Sequence, residues 1–149
     1  MRYLYPCTIE LDQEEKRTTG REAYNVTFRD VPEAITCGWS WEEALQMAED
    51  CLSVALTFYV DRREDIPTPS TPTDGQLLIR VPLMIAAKLS LYTAMRSQNI
   101  TDGMLGKRLG VSESEVRKLL NPDHRSAIGQ IEKALEAVGR TLVLEDRAA

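Results

Sequence analysis

Residues 28–56, FRDVPEAITCGWSWEEALQMAEDCLSVAL, predict a strand, a turn and the beginning of a long amphipathic helix. Gly38 breaks an extended run, Ser40 is a favourable N-cap residue, and Glu43 follows three residues later, which is the spacing of a capping box. The helix that follows carries apolar residues at spacings of three and four, so they share one face. These residues are Leu45, Ala48, Leu52, Ala55 and Tyr59. The stretch therefore predicts a helix that packs on a sheet.

The sequence on either side of this stretch supplies further strands. YLYPCTIEL before it and EAYNVTF at its start are rich in β-forming residues and partly alternate. We interpret the polar DQEEKRTTGR between them as a hairpin loop and the proline-rich DIPTPSTPTDG as a second loop. QLLIRV predicts a last strand, which Pro82 ends. The order β-β-β-α-β predicts an α+β lobe over residues 1–82, with one helix laid on a sheet.

Beyond Pro82 the pattern becomes helical, so residues 83–149 predict an all-α domain with four helices. Counted from Asp102, Gly106 is the fifth residue, where two helices must cross closely. Gly110 is the ninth, where a tight turn favours a positive φ. The positions at which the two helices face each other and the core are apolar, namely Leu105, Leu109, Val116 and Leu119. This spacing is typical of a DNA-binding helix-turn-helix of the Cro/C1-repressor type, and a plain helical hairpin is the alternative.

In a helix-turn-helix, the second helix enters the major groove of DNA. We expect the DNA-facing residues to be Thr101, Ser112, Glu113, Ser114, Arg117 and Lys118. Arg117 and Lys118 suit guanine edges or phosphates. Glu113 can accept a hydrogen bond from cytosine, but its charge repels the phosphate backbone.

The last helix and the tail behind it are the predicted elements of self-association. Ile128, Ile131, Leu135 and Val138 fall on one face of the helix, and the apolar TLVLE after it is a possible strand. Because one helix-turn-helix reads only a few base pairs, specific binding usually needs a two-fold pair. We therefore expect a homodimer or homotetramer.

The two halves of the chain carry charge of opposite sign. Residues 1–79 contain 7 Lys and Arg against 15 Asp and Glu, whereas residues 80–149 contain 11 against 8. An acidic lobe repels nucleic acid and attracts basic proteins, and a mildly basic lobe can approach phosphate. The halves are therefore expected to bind different partners.

The chain resembles the HicB-type antitoxins of HicAB toxin–antitoxin systems, in the subgroup with a C-terminal helix-turn-helix. The similarity lies in YNVTFRDVPEAITCGWSWEEALQMAEDCL, IPTPS, IRVPLMIAAKLSLYTAM, ITDGMLGKRLGVSESEVRKLL and IEKALEAVGRTL, in family order. It implies a partial RNase H-like N-terminal lobe that binds a small basic ribonuclease toxin of the HicA type. It also implies that the C-terminal lobe binds operator DNA. The chain departs from the family in its longer first loop and in Gly106, where alanine is usual.

If the N-terminal lobe binds a basic toxin, its exposed acids and aromatic residues are the candidates for the interface. We expect that surface to include Asp30, Glu33, Trp39, Glu42 and Glu43. Aromatic residues are enriched at the energetic centres of interfaces, although Trp39 can equally be a turn residue. We favour a core position for Trp41, at the start of the helix's apolar face.

An enzyme is not expected. The carboxylates fall on turns and on a solvated helix face, the single histidine is His124, and no glycine-rich phosphate loop follows a strand, so we predict no catalytic site, metal or cofactor. The three cysteines lack zinc-type spacing and are expected to be reduced and buried or half-buried.

Charges such as Lys88 interrupt the apolar runs, so we expect a cytoplasmic protein with no membrane partner. The alternative function is a stand-alone DNA-binding regulator whose N-terminal lobe senses a small ligand.

Overall fold

The computed structural model describes residues 1–148 and divides the chain into two compact units, Met1–Pro82 and a second that begins at Leu83. The fold is mixed α+β, which confirms the predicted class. In the first unit, four strands form one antiparallel sheet in the order β3-β2-β1-β4. The elements are β1 (Leu4–Leu11), α1 (Gln13–Thr19), β2 (Tyr24–Phe28), β3 (Ile35–Gly38), α2 (Trp41–Asp61) and β4 (Leu77–Arg80).

Helix α1 corrects the predicted hairpin loop, and the order of elements becomes β-α-β-β-α-β. Its N-cap is Asp12, whose side chain accepts a hydrogen bond from the Glu15 backbone, and Gly20 ends it with a φ of 75°. None of the residues in Gln13–Thr19 is buried. The helix therefore depends on local capping rather than on packing, which is why a search for apolar periodicity misses it.

Helix α2 covers one face of the sheet, and Ser40 is its N-cap as predicted, but the predicted capping box forms only in part because Glu43 accepts from Trp39 rather than from Ser40. The Ser40 hydroxyl accepts from the Glu43 backbone at 3.1 Å, and the Glu43 carboxylate accepts from the Trp39 backbone at 3.3 Å. A Cβ on Gly38 would lie 2.7 Å from the Ala44 Cα, so only glycine lets the strand approach the helix this closely.

The core of the first unit lies between this helix and the sheet. Register places Cys7 opposite Phe28 and Tyr5 opposite Ile79, and all four side chains are buried. The helix buries Ala44, Ala48, Leu52, Ala55, Leu56 and Thr57. The buried face of α2 is therefore rotated slightly from the face that the sequence predicts, since Leu45 and Tyr59 are only half-buried. Each fully buried leucine contributes roughly 1.5–3 kcal/mol to stability.

The second unit consists of α3 (Leu83–Gln98), α4 (Asp102–Leu109), α5 (Glu113–Leu120) and α6 (Ile128–Ala137). Leu91 of α3, Leu105 of α4, Val116 of α5 and Ile131 of α6 meet in one core with no exposed surface. One prediction about the end of the chain is wrong, because Ile128 is exposed instead of lying on the buried face. Residues 141–145 form no strand within the single chain.

Candidate functional site

Helices α4 and α5 are joined by a tight turn, and the sequence explains its geometry. Gly110 has a φ of 70°, a left-handed conformation that glycine adopts without steric cost. Gly106 is buried at the crossing, where an added Cβ would lie 2.8 Å from the Val111 carbonyl oxygen. Thr101 and Ser112 cap the two helices through their hydroxyl groups, at 3.1 and 3.2 Å. The close crossing and the turn set one helix against the other, and the two caps fix where each helix begins.

The outer surface of this helix pair carries every residue predicted to face DNA. Thr101, Ser112, Glu113, Ser114, Arg117 and Lys118 are all exposed. On the inner side of α5, Val116 and Leu119 are buried. The helix is thus held by two apolar residues and presents a polar face that includes two adjacent cations.

Both cations on that face are paired with carboxylates. The Arg117 guanidinium lies 3.2 Å from Glu113 and 3.8 Å from Asp102, and the Lys118 ammonium lies 3.3 Å from Glu115. The sequence predicted the exposure of these cations but not their ion pairs. Exposed pairs of this kind contribute at most about 1 kcal/mol each, so phosphate groups can replace the carboxylates at small cost.

Lys88, which the sequence marks only as a charge within an apolar run, is buried beside the C-terminal end of α5. Lys88 of α3 is fully buried, and its ammonium donates to Lys118 O, Asn121 O, His124 O and Ser126 Oγ. Desolvation by burial lowers the pKa of this amine below its ordinary value of 10.5. A single lysine within the apolar run LMIAAKLSLYTAM was the signal that could have identified it.

In the first unit, three of the predicted interface residues lie together around the start of α2. Trp39, Glu42 and Glu43 are all exposed there. The Arg21 guanidinium lies 3.8 Å from the centroid of the Trp39 ring, which leaves one face of the indole covered by a cation. The expected core position of Trp41 is wrong, because its side chain is 45% exposed and packs with the Tyr24 ring in an edge-to-face arrangement.

The other two predicted interface residues are engaged elsewhere in the first unit. Asp30 accepts from the Ser70 backbone and hydroxyl at 2.8 and 2.9 Å, which holds the proline-rich loop. Glu33 accepts from the Tyr59 hydroxyl at 2.8 Å. Burial, followed by this hydrogen bond, raises the pKa of Tyr59 to about 12. Because Glu43 and Tyr59 are 16 residues apart on α2, Glu33 lies about 24 Å along the helix axis from the Trp39 group.

An apolar stripe on α2 was not predicted. Met47, Val54 and Phe58 recur at helical spacing and are exposed, Phe58 by 52%. Cys51 lies within the same stripe, and its thiol donates to the Ile35 carbonyl of the edge strand β3 at 3.6 Å. The stripe therefore lies on the flank of α2 near that strand, outside the core.

The cysteines and acids form no metal centre within residues 1–148. Cys7 is buried and Cys51 half-buried, as expected, but Cys37 is exposed, which corrects the prediction for that thiol. Burial raises the pKa of Cys7 to about 11, so this thiol is unreactive at neutral pH. Over the same residues, no helix is long and apolar enough to cross a membrane.

Comparison with known proteins relates the sequence of this chain to one group. Residues 4–90 match a family model described as a HicB_like antitoxin of a bacterial toxin–antitoxin system. Antitoxin HicB 2 of Photorhabdus laumondii is 39% identical over 140 residues, which cover 94% of each chain. Antitoxin HicB of Escherichia coli K12 is 37% identical over 121 residues, covering 81% of this chain and 88% of its own. Antitoxin HicB of Pseudomonas fluorescens is 35% identical over 80% of this chain and 83% of its own.

Proposed function

This chain belongs to the HicB-like antitoxins of bacterial toxin–antitoxin systems, and from that premise we propose that it inhibits a HicA-type toxin and represses its own operon. Antitoxins of this family bind a toxin and are not enzymes. The toxin would be a small, basic ribonuclease that cleaves mRNA. The chain would act in the cytoplasm, where both the mRNA and the operator DNA are found.

The exposed polar face of α5 is the observation that supports repression. It carries Arg117 and Lys118 on the side opposite the buried Val116 and Leu119. A helix held in this way against a preceding helix is the form in which helix-turn-helix proteins present side chains to the major groove. Asp102, Glu113 and Glu115 would release the two cations to phosphates or to guanine edges on binding.

Toxin binding is assigned to the first unit, whose excess of acids suits a basic partner. We place the contact at the start of α2, where Trp39, Glu42 and Glu43 are exposed together. The apolar stripe of Met47, Val54 and Phe58 extends it along the helix. Protein interfaces combine an apolar centre with a polar rim, and this flank has both. Asp30 and Glu33 are assigned mainly to holding the fold.

Repression also requires a second copy of the chain, because one α5 reads only a few base pairs. Val143 and Leu144, in the tail after α6, are exposed by 82% and 76%. We assign self-association to α6 and this tail, with operator half-sites about one helical turn, roughly 34 Å, apart. Sedimentation at micromolar concentration should give a dimer or tetramer, and a monomer with and without DNA would refute this assignment.

The assignment of α5 is tested by the double substitution Arg117→Ala and Lys118→Ala. Operator affinity should fall at least tenfold, and the slope of log affinity against log salt should decrease by about two if both cations contact phosphate. Toxin neutralisation should not change. The experiment is a DNA titration at two salt concentrations beside a toxin-rescue assay.

A matched control removes another adjacent pair of exposed cations, in α1 of the first unit and outside the elements assigned to self-association, through Lys16→Ala and Arg17→Ala. Both double variants change the net charge equally, so a difference between them reports contact rather than charge alone. Equal affinity of the Arg117/Lys118 variant and the wild type would leave the plain helical hairpin as the better interpretation.

A further inference from the structure

The environment of Lys88 is unusual because all its hydrogen-bond acceptors come from one short stretch of chain. The ammonium lies 3.0 Å from Lys118 O, 2.9 Å from Asn121 O, 2.6 Å from His124 O and 2.8 Å from Ser126 Oγ. Three are backbone carbonyls, one is a hydroxyl, and none is a carboxylate. A lysine ammonium has three N–H groups for these four acceptors, so every N–H is used and one is shared between two oxygens.

These acceptors lie where a helix most needs a donor. Lys118 is in the last turn of α5, and Asn121 is its C-cap residue. The last carbonyls of a helix have no partner within it, and the negative end of the helix dipole favours a cation there. His124 and Ser126 belong to the segment that leads to α6. One buried side chain of α3 therefore fixes both the end of α5 and the loop behind it.

Apolar packing alone fixes α5 weakly. The helix has eight residues, of which Val116 and Leu119 are buried and Leu120 is half-buried against the same core. These contacts all come from one side, so they restrict rocking and axial movement of a short helix less than contacts at both of its ends would. The bonds from Lys88 restrict both movements, because they hold the backbone at the end opposite the Ser112 cap.

We propose that Lys88 is a positioning residue for DNA binding, which sets the place of α5 so that Arg117 and Lys118 reach the DNA together. This inference rests on the proposed function of α5 as the reading helix. Lys118 connects Lys88 to the DNA-facing side, since its carbonyl accepts from Lys88 while its side chain is exposed on that side. Lys88 itself is buried and contacts DNA at no point.

The test replaces Lys88 by methionine in the full chain, which keeps an unbranched side chain of similar length but removes the ammonium. Amide exchange should accelerate at residues 118–126 while the amides of α3 and α6 stay protected. Affinity for a duplex carrying the promoter of the chain's own operon should fall at least tenfold. Ala94→Gly, which deletes one buried methyl group of α3 in the same core, is the control for lost stability and should bind DNA as the wild type does.

A double-mutant cycle separates positioning from general destabilisation. If Lys88 acts through Arg117 and Lys118, Lys88→Met should cost little further affinity once both cations are alanine. Additive losses, or wild-type exchange at residues 118–126, would overturn the proposal. Should Lys88→Met fail to fold, Ser126→Ala removes one of the four acceptors and takes its place in the cycle, with an expected loss of about threefold.

The two proposals fail in distinguishable ways. If the wild-type chain does not bind the promoter duplex, the proposed function of α5 is wrong, and the exchange measurement still reports whether Lys88 holds residues 118–126. If the wild type binds and Lys88→Met binds equally well, the role of Lys88 is wrong and the function of α5 stands.

Discussion

Gly103 and Gly106 lie one turn apart on α4, but their surroundings differ in kind. A Cβ on Gly103 would lie 2.7 Å from a Glu113 carboxylate oxygen, at the end of a flexible side chain. A Cβ on Gly106 would lie 2.8 Å from the Val111 carbonyl oxygen, which belongs to the turn itself. The first neighbour can rotate away, whereas the second can move only if the turn moves.

Alanine substitution at these two positions should therefore change stability in opposite directions. Gly103→Ala should raise the free energy of unfolding by about 0.5–1 kcal/mol through helix propensity. Gly106→Ala should lower it by roughly 1–3 kcal/mol through overpacking. Urea unfolding measures both, and Gly129→Ala, with nothing within 4 Å of its Cβ, is the propensity-only control. A Gly106→Ala variant as stable as wild type would show that the turn adapts freely.

Residue spacing predicted the close helix crossing at Gly106, the turn at Gly110 and the buried sides of Val116 and Leu119. It could not predict the partners of Lys88, which are three main-chain oxygens and one serine hydroxyl, all 30 or more positions away. Every residue has the same main-chain carbonyl, so no sequence pattern predicts which carbonyls a buried lysine binds. The sequence also did not predict the exposure of Trp41, because an aromatic residue on the apolar face of a helix can lie at the edge of that face as well as in its centre.

At the scale of elements, α1 is the one helix that the sequence did not predict, and its stability depends on its ends. Its polar residues share no buried face, so the periodic signal that revealed α2 and α3 is missing from it. The capping residues Asp12 and Gly20 were visible in the sequence, but without an apolar face they were assigned to a loop. By contrast, the bounds of α3 follow directly from a run of helix-forming residues between Pro82 and Asn99.

Asp12→Ala should fray α1 while leaving the strands beside it intact. The Asp12 pKa is lowered, first by the Glu15 backbone N–H and then by the Asn25 side chain. The carboxylate form is therefore favoured in the folded state. Its contribution is complete above the unfolded pKa, about 3.9, and is lost as pH falls through the lower folded value.

Amide exchange of residues 13–19 at pH 2 to 5 measures this loss. Asp12→Asn is the informative companion variant, since asparagine caps helices well but carries no charge. It should keep α1 and abolish the pH dependence. Persistence of α1 in Asp12→Ala would mean that something other than the cap stabilises the helix.

For the molecule as a whole, each unit completes its own core. The sheet and α2 lie within Met1–Pro82, and a bond from the Val81 backbone to Tyr3 O, at 3.0 Å, closes the last strand against the first. The core that joins α3, α4, α5 and α6 uses residues from Ala87 to Val138. The family resemblance and the charge contrast predicted different partners for the halves, but only the folded structure distinguishes which acids are exposed and which hold loops.

We predict that toxin binding and DNA binding separate with these units. A fragment of residues 1–82 retains all four strands and α2, and circular dichroism should show that it folds alone. It should bind and neutralise the toxin with affinity close to that of the full chain, because the proposed contact at the start of α2 lies entirely within it. It should not bind operator DNA, since it lacks α5 and its charge repels phosphate.

The complementary fragment, residues 83–149, should show the opposite behaviour: it should bind the operator and leave the toxin active. Isothermal titration with purified toxin and with operator duplex, applied to both fragments, gives four outcomes from one design. A folded 1–82 fragment that leaves the toxin fully active would refute the division of labour. Toxin contacts would then have to be sought beyond Pro82, because the acidic surface alone would have proved insufficient to bind a basic partner.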